Sequence, residues 1–112
     1  MATISPTFQS GVSPGTLIKW EGAATGDTIN SFLANGYERV AATVQISGTF
    51  GDATAKLQAS LDDTNWFDLT DIQGNAVSAT SDSMFEVTTK ALYLRPSITG
   101  GTSDSIDILV MV

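Results

Sequence analysis

Cysteine and histidine are both absent from this sequence of 112 residues. Without cysteine, no disulfide can brace the fold and no thiolate can bind a metal. Without histidine, Ser-His-Asp and Cys-His catalytic arrangements are excluded, together with the common zinc sites. Acid-base chemistry would depend on carboxylates alone. We therefore expect a protein that is not an enzyme and that needs no cofactor.

Basic residues are scarce, since five lysines and arginines stand against 12 aspartates and glutamates, for a formal net charge of −7. Such an acidic chain is repelled by the phosphate backbone of nucleic acids and by anionic membrane surfaces. The few cations are scattered singly, and no glycine-rich phosphate loop is followed by lysine. We expect neither a nucleic acid nor a membrane as a direct partner.

Long apolar runs are also missing. No stretch approaches the ~20 apolar residues of a membrane span. The first six residues, MATISP, lack the basic start of a secretory signal, and no apolar run follows them. We therefore expect the chain to be made and folded in a cytosol. Its hydrophobic content of 42% is enough for one core.

From residue 15 onward, turn residues separate short runs rich in β-branched and aromatic residues, about a dozen residues apart. This spacing predicts one all-β domain over residues 16–112, an antiparallel β-sandwich or a jelly-roll-like fold. The predicted strands are 16–20, 39–50, 54–61, 66–71, 76–79, 85–89, 91–98 and 105–112. Tight turns at 50–53 and 62–65 predict sequential hairpins, and hence an antiparallel meander.

Residues 27–36 leave two structures open. Ile29, Phe32 and Leu33 lie at helical spacing, and Asp27 could cap a short helix there. A loop that crosses the end of the sandwich fits the same residues.

Alternation along the strands assigns residues to the two faces of each sheet. The residues that we expect to face the core are Val40, Ala42, Val44, Ile46 and Gly48; Ala55, Leu57, Ala59 and Leu61; and Ile106, Ile108, Val110 and Val112. On the last strand the opposite face is also apolar, at Leu109 and Met111. This second apolar face predicts either cover by the N-terminal segment or a subunit contact, so Leu109 and Met111 are candidate partner-binding residues.

Residues 1–15 mix serine, threonine, glycine and two prolines with isolated apolar residues, which predicts an extended N-terminal arm. One interpretation is a frayed terminus. The other is an arm that orders against a neighbouring subunit, with Ile4, Phe8 and Val12 as its partner-binding anchors.

Four carboxylates lie in or beside one predicted hairpin, namely Asp62, Asp63, Asp68 and Asp71. Two of them could form the acid and base pair of a glycosidase, and with Asp52 or Asp104 the group could hold Ca²⁺. An exposed turn, however, has nothing to raise a carboxyl pKa, and the spacing does not match an EF-hand loop. We favour a solvated hairpin without catalysis or metal.

Trp66 and Phe67 are adjacent after that hairpin turn, so one must face inward and the other outward or toward an edge. We favour Trp66 as a plug of the core. The alternative is an exposed aromatic platform for a sugar or for a partner protein.

Residues 45–69 read QISGTFGDATAKLQASLDDTNWFDL, and a QGN turn at 73–75 and the strand LYLRPSITGG at 92–101 follow. This succession resembles small virion structural proteins of tailed phages, in which an SDGxNW-type hairpin precedes a QGN turn and an RPSxTGG-type strand. The resemblance extends over residues 40–112. Asp63 stands where glycine is usual.

The resemblance implies a capsid decoration, or cement, protein on the outside of the phage head, made in the host cytoplasm and often trimeric. Such a protein bridges subunits of the major capsid protein and stabilises the assembled shell by binding to it. The alternative is a glycan- or receptor-binding module of a phage tail or fibre, or a carbohydrate-binding domain. Exposed Trp66, Tyr93 or Trp20 would favour that alternative, whereas buried tryptophans and an ordered arm would favour decoration.

Overall fold

The computed structural model describes residues 3–12, 15–33, 41–88 and 93–111, and all the regular elements in these ranges are β-strands. The strands are β1 (Thr3–Ile4), β2 (Thr7–Val12), β3 (Gly15–Ala23), β4 (Thr28–Ile29), β5 (Phe32–Leu33), β6 (Ala41–Thr49), β7 (Thr54–Ser60), β8 (Phe67–Asp68), β9 (Ser78–Ala79), β10 (Ser83–Thr88), β11 (Tyr93–Thr99) and β12 (Ser105–Met111). The predicted all-β class is confirmed.

Two antiparallel sheets pack face to face. The first sheet has the strand order β10-β6-β12-β3-β2, and the second has the order β5-β11-β7-β8, with β9 also paired to β7. The short strands β1 and β4 form a separate parallel pair. The buried side chains of both sheets meet in one hydrophobic core, so the architecture is a β-sandwich.

The predicted antiparallel meander is wrong as a whole, because the turn at 50–53 and the connection from β11 to β12 cross between the sheets. The predicted hairpin at 62–65 is confirmed, since it joins the paired strands β7 and β8. The turn at 50–53 joins β6 of the first sheet to β7 of the second. Gly51 and Asp52 both have positive φ, 52° and 69°, which lets the chain reverse within two residues. The connection from β11 to β12 also crosses between the sheets, and the Thr102 N–H donates to the Gly51 carbonyl at 2.8 Å.

Strand alternation predicts the core well in the middle of the strands. The predicted core residues that are buried are Ala42, Val44, Ile46, Ala55, Leu57, Ala59, Ile106, Ile108 and Val110. Gly48 and Leu61 are exposed instead, which corrects the prediction. Gly48 leaves the regular pleat at a φ of 133°, and Leu61 follows the last residue of β7. Val40 and Val112 lie outside the described residues.

The helix that residues 27–36 could have formed is absent from residues 27–33, which contain β4 and β5. Trp20 is fully buried, and its indole N–H donates to the carbonyl of Asn30 at 2.9 Å. This bond holds the segment across the end of the core. Residues 34–36 lie outside the described residues.

The N-terminal segment is extended as predicted, but its described part pairs with its own chain. β1 pairs with β4, and β2 forms an antiparallel edge of the first sheet against β3. Ile4 is half-buried and packs against the core. Ile4 therefore packs within its own domain, so this residue of the predicted arm does not depend on a neighbouring subunit for its burial. The boundary at residue 15 stays a prediction.

Candidate functional site

A rigid polar turn connects β7 to β8. Ser60 is buried, and its hydroxyl oxygen accepts the N–H groups of Asp62 and Asp63 at 3.1 and 3.0 Å. The carboxylate of Asp62 accepts the Ser60 hydroxyl, the N–H groups of Thr64 and Asn65, and the side-chain amide of Asn65, at 2.8 to 3.0 Å. The turn therefore holds its shape through its own side chains.

Asp63 has a φ of 59°, the left-handed conformation that favours glycine. Aspartate tolerates this conformation better than most residues. Its carboxylate also accepts the Ser31 hydroxyl at 2.8 Å, which connects the turn to the segment between β4 and β5. Asp63, at the position where the sequence comparison expected glycine, thus adopts a backbone conformation that glycine favours.

The hydrogen bonds to Asp62 lower the pKa of its carboxyl far below the ordinary value of 3.8; the Asn65 N–H contributes most, followed by the Thr64 N–H. As pH falls, the unfolded chain takes up a proton at this group first, so the folded state loses stability below the unfolded pKa. We expect Asp62→Asn to lower the melting temperature at pH 7. We expect the difference from wild type to shrink progressively below pH 3.8, as thermal melts from pH 7 to pH 2 would measure. A difference that is constant over this range would contradict the role of the Asp62 charge.

Beside this turn lies an open, mainly apolar cleft with a volume of about 390 Å³. Its walls are Ala59, Ser60, Leu61, Asp62, Asn65 and Phe67. Leu61 and Phe67 are 74% and 70% exposed. Phe67 is the register partner of Ala59, whose side chain is buried in the core. Phe67 therefore lies on the inner face of the second sheet, at a margin that the first sheet does not cover.

Trp66 lies on the opposite, outer face of the second sheet and is half-buried, so the prediction that it plugs the core is wrong. The Arg95 guanidinium carbon lies 4.2 Å from the centroid of its ring, a cation-π contact. Arg95 Nε donates to Gln58 Oε1 at 3.2 Å, and Gln58 Nε2 donates to Asp68 Oδ1 at 3.0 Å. Lys56 Nζ pairs with Asp68 at 3.4 Å. On this outer face of the second sheet, an aromatic ring therefore lies beside polar side chains that hydrogen-bond to one another.

The carboxylates near the hairpin serve the local structure. The Gln58 amide, and secondarily Lys56, lower the pKa of Asp68. Asp71 accepts the N–H groups of Gln73 and Asn75, both at 2.9 Å. Among the described residues, no group of three or more acidic residues is placed to hold a metal ion.

Asp104 has the same kind of role at the turn between β11 and β12. Desolvation raises the pKa of its carboxyl, but hydrogen bonds from the N–H and hydroxyl of Thr25 outweigh it, and the net shift is downward.

In the described ranges, no helix is long and apolar enough to cross a membrane.

The candidate residues of the last strand lie together on the outer face of the first sheet. Leu109 and Met111 are half-buried there, and the outward Leu17 of β3 is the register partner of Met111. Met84 of β10 is 64% exposed on the same face. Sequence reasoning missed Leu17, the outward neighbour of a buried residue, and Met84, which lies one residue before the predicted strand 85–89.

The N-terminal candidates are not brought to that face as a group. Ile4 packs against the core. In β2, the backbones of Phe8 and Val12 pair with Ile18 and Gly15 of β3. The side chains of Phe8 and Val12 lie outside the described part of the chain.

No family model and no curated protein matches this chain. A solved structure, CBM32-3 from a family 31 glycoside hydrolase from Clostridium perfringens, is similar at 17% sequence identity and a TM-score of 0.36. The alignment covers 94% of this chain and 70% of that chain. A likeness this low says nothing about function.

Proposed function

We propose that this protein is a non-enzymatic structural protein of a tailed-phage virion, which decorates the outside of the capsid and stabilises it by bridging subunits of the major capsid protein. The observation that carries the proposal is the open apolar cleft with Leu61 and Phe67 in its walls. In the proposed complex, apolar side chains of the major capsid protein enter this cleft. The protein acts there as a symmetric homo-oligomer.

The cleft has the properties of a protein-binding hot spot. Covering an exposed leucine or phenylalanine side chain contributes roughly 1.5–3 kcal/mol. In the cleft walls, Asp62 and Asn65 are already fixed by hydrogen bonds, so few side chains lose conformational freedom when a partner binds. Leu61 and Phe67 therefore combine a large apolar area with a low entropic cost of association.

The place of the cleft residues in the sequence supports a capsid partner. Leu61 and Phe67 lie within residues 45–69, which carry the resemblance to virion proteins of tailed phages. The net charge of −7 opposes contact with the packaged genome, as expected for a protein that acts on the outside of the shell.

We expect Phe67→Ser to weaken binding to undecorated capsids about 30-fold or more, since truncating a hot-spot residue costs about 2 kcal/mol or more. Co-sedimentation with purified shells over a concentration series would measure the affinity. Ile72→Ser is the matched control, because Ile72 is 61% exposed and is not a wall of the cleft. Equal affinities for the two variants would contradict the role of the cleft. Failure of the wild-type protein to bind any shell would contradict decoration.

The second candidate function is recognition of a glycan or receptor, and the exposed part of Trp66 favours it. Trp66 immediately precedes β8, and Asp68 lies two residues later in that strand. The ring and the carboxylate therefore point to the same side of the second sheet. Binding to a glycan array that is lost in Trp66→Ala and kept in Phe67→Ser would support this function over capsid decoration.

A further inference from the structure

We propose that the outer face of the first sheet is a self-association surface, on which a second copy of this chain packs about a two-fold axis. The axis runs parallel to the strands, between β6 and β12. This surface lies on a different sheet from the Phe67 cleft, and the inference does not depend on the capsid.

The sheet register defines the surface. One row across the strands contains Met84, Gln45, Leu109 and Lys19 in β10, β6, β12 and β3. The next row contains Glu86, Thr43, Met111 and Leu17 in the same four strands. Four of these eight side chains are apolar. Leu17, Leu109 and Met111 are neighbours on β3 and β12, and Met84 lies on the far side of the polar Gln45 of β6. We call these eight residues the outer patch.

The described part of the N-terminal segment leaves the outer patch open. β2 pairs side by side with β3 and widens the first sheet, so it does not lie across the face. Ile4 packs against the core instead. Of the two explanations for an apolar outer face, cover by the arm and a subunit contact, the structure of residues 3–12 favours the subunit contact.

The charges of the outer patch identify the occupant as a second copy. Lys19 lies on β3 and Glu86 on β10, three strand spacings or about 14 Å apart, which is too far for a pair within one chain. The ion pair formed among the described residues joins Lys56 to Asp68 and involves neither of them. The proposed axis exchanges β10 with β3, so Glu86 of one copy lies near Lys19 of the other, about 7 Å along the strand. Both side chains are long enough to span that offset.

The size of the face sets the strength of the contact. The four strands that the axis superposes, at about 4.8 Å each, and six or seven residues at about 3.3 Å give a face of roughly 400 Å², or on the order of 800 Å² for two copies. This area is smaller than that of stable specific interfaces and is typical of weak, transient ones. We therefore expect a dimer that dissociates on dilution, with a dissociation constant in the micromolar range.

Sedimentation equilibrium of the full chain, from about 1 µM to 500 µM, tests the proposal. We expect wild type to approach twice the mass of one chain, and Lys19→Glu or Glu86→Lys to raise the dissociation constant at least about 10-fold. The double variant Lys19→Glu/Glu86→Lys restores opposite charges across the axis, so its dissociation constant is expected to return close to that of wild type. A structural defect in either strand would not be rescued in this way.

Leu109→Lys tests the apolar part of the patch, with Thr99→Lys as the control. Thr99 is exposed at the end of β11, in the second sheet and away from the patch. We expect a monomer for the first variant and a wild-type dimer for the second, with both folded by circular dichroism. A wild-type monomer at 500 µM, a trimer, or a dimer that the charge reversals leave unchanged would overturn the proposal. Capsid co-sedimentation is measured separately, so failure of the dimer and failure of decoration give different results.

Discussion

Ile46→Asp is expected to unfold the protein. Ile46 is fully buried in β6, an interior strand of the first sheet, and its register partner Ile108 on the central strand β12 is also fully buried. An unpaired carboxylate at this position costs several kcal/mol, against a total stability of roughly 5–15 kcal/mol for a domain. Far-ultraviolet circular dichroism and urea titration at pH 7 would measure the loss.

Gln45→Asp is the control for this variant. Gln45 is the preceding residue on β6 and faces outward, so in the monomer that is present at low micromolar concentration the same charge stays in contact with water. We expect its free energy of unfolding to lie within about 1 kcal/mol of wild type. If Gln45→Asp unfolded the protein and Ile46→Asp did not, the register of β6 would be wrong by one residue.

Gly48→Ala is expected to cost roughly 2–5 kcal/mol of stability, from backbone strain and overpacking together. Gly48 has a φ of 133°, which side-chain-bearing residues rarely adopt. A Cβ there would lie 2.4 Å from the backbone oxygen of Ser105 and 3.1 Å from the Cα of Ile106. Neither atom can retreat without disturbing β12, because Gly48 is the register partner of Ile106. Urea unfolding would give the difference in free energy.

Gly74→Ala separates the two contributions. Gly74 also has a positive φ, 86°, but no atom lies within 4 Å of the position its Cβ would take. We expect this variant to lose only the cost of the strained backbone, roughly 1–3 kcal/mol. Equal losses in the two variants would show that the contact with Ser105 contributes nothing.

The Phe67 cleft shows where sequence reasoning about the site stops. Alternation requires Trp66 and Phe67 to face opposite sides, and the structure agrees. The pattern could not indicate that the inner-facing Phe67 lies beyond the cover of the first sheet. That depends on how far one sheet extends over the other, which is a property of the packed pair.

The sequence alone indicates part of the outer patch. The alternation of β12 identified Leu109 and Met111, because a strand that is apolar on both faces departs from the one-sided pattern of an antiparallel sheet. Met84, Lys19 and Glu86 join them only through the strand order β10-β6-β12-β3. Pairing between strands distant in the chain leaves no local signal in the sequence.

The sequence by itself determined the all-β class, most strand positions, the tight turns and the central core residues, because these follow from local conformational preference and from a period of two. Only the tertiary structure decided which turns join strands of one sheet and which cross to the other. The turn at 50–53 has the residues of a hairpin, yet it connects β6 and β7 in different sheets. A turn sets where the chain reverses, whereas the long-range packing of both apolar faces selects the partner of each strand.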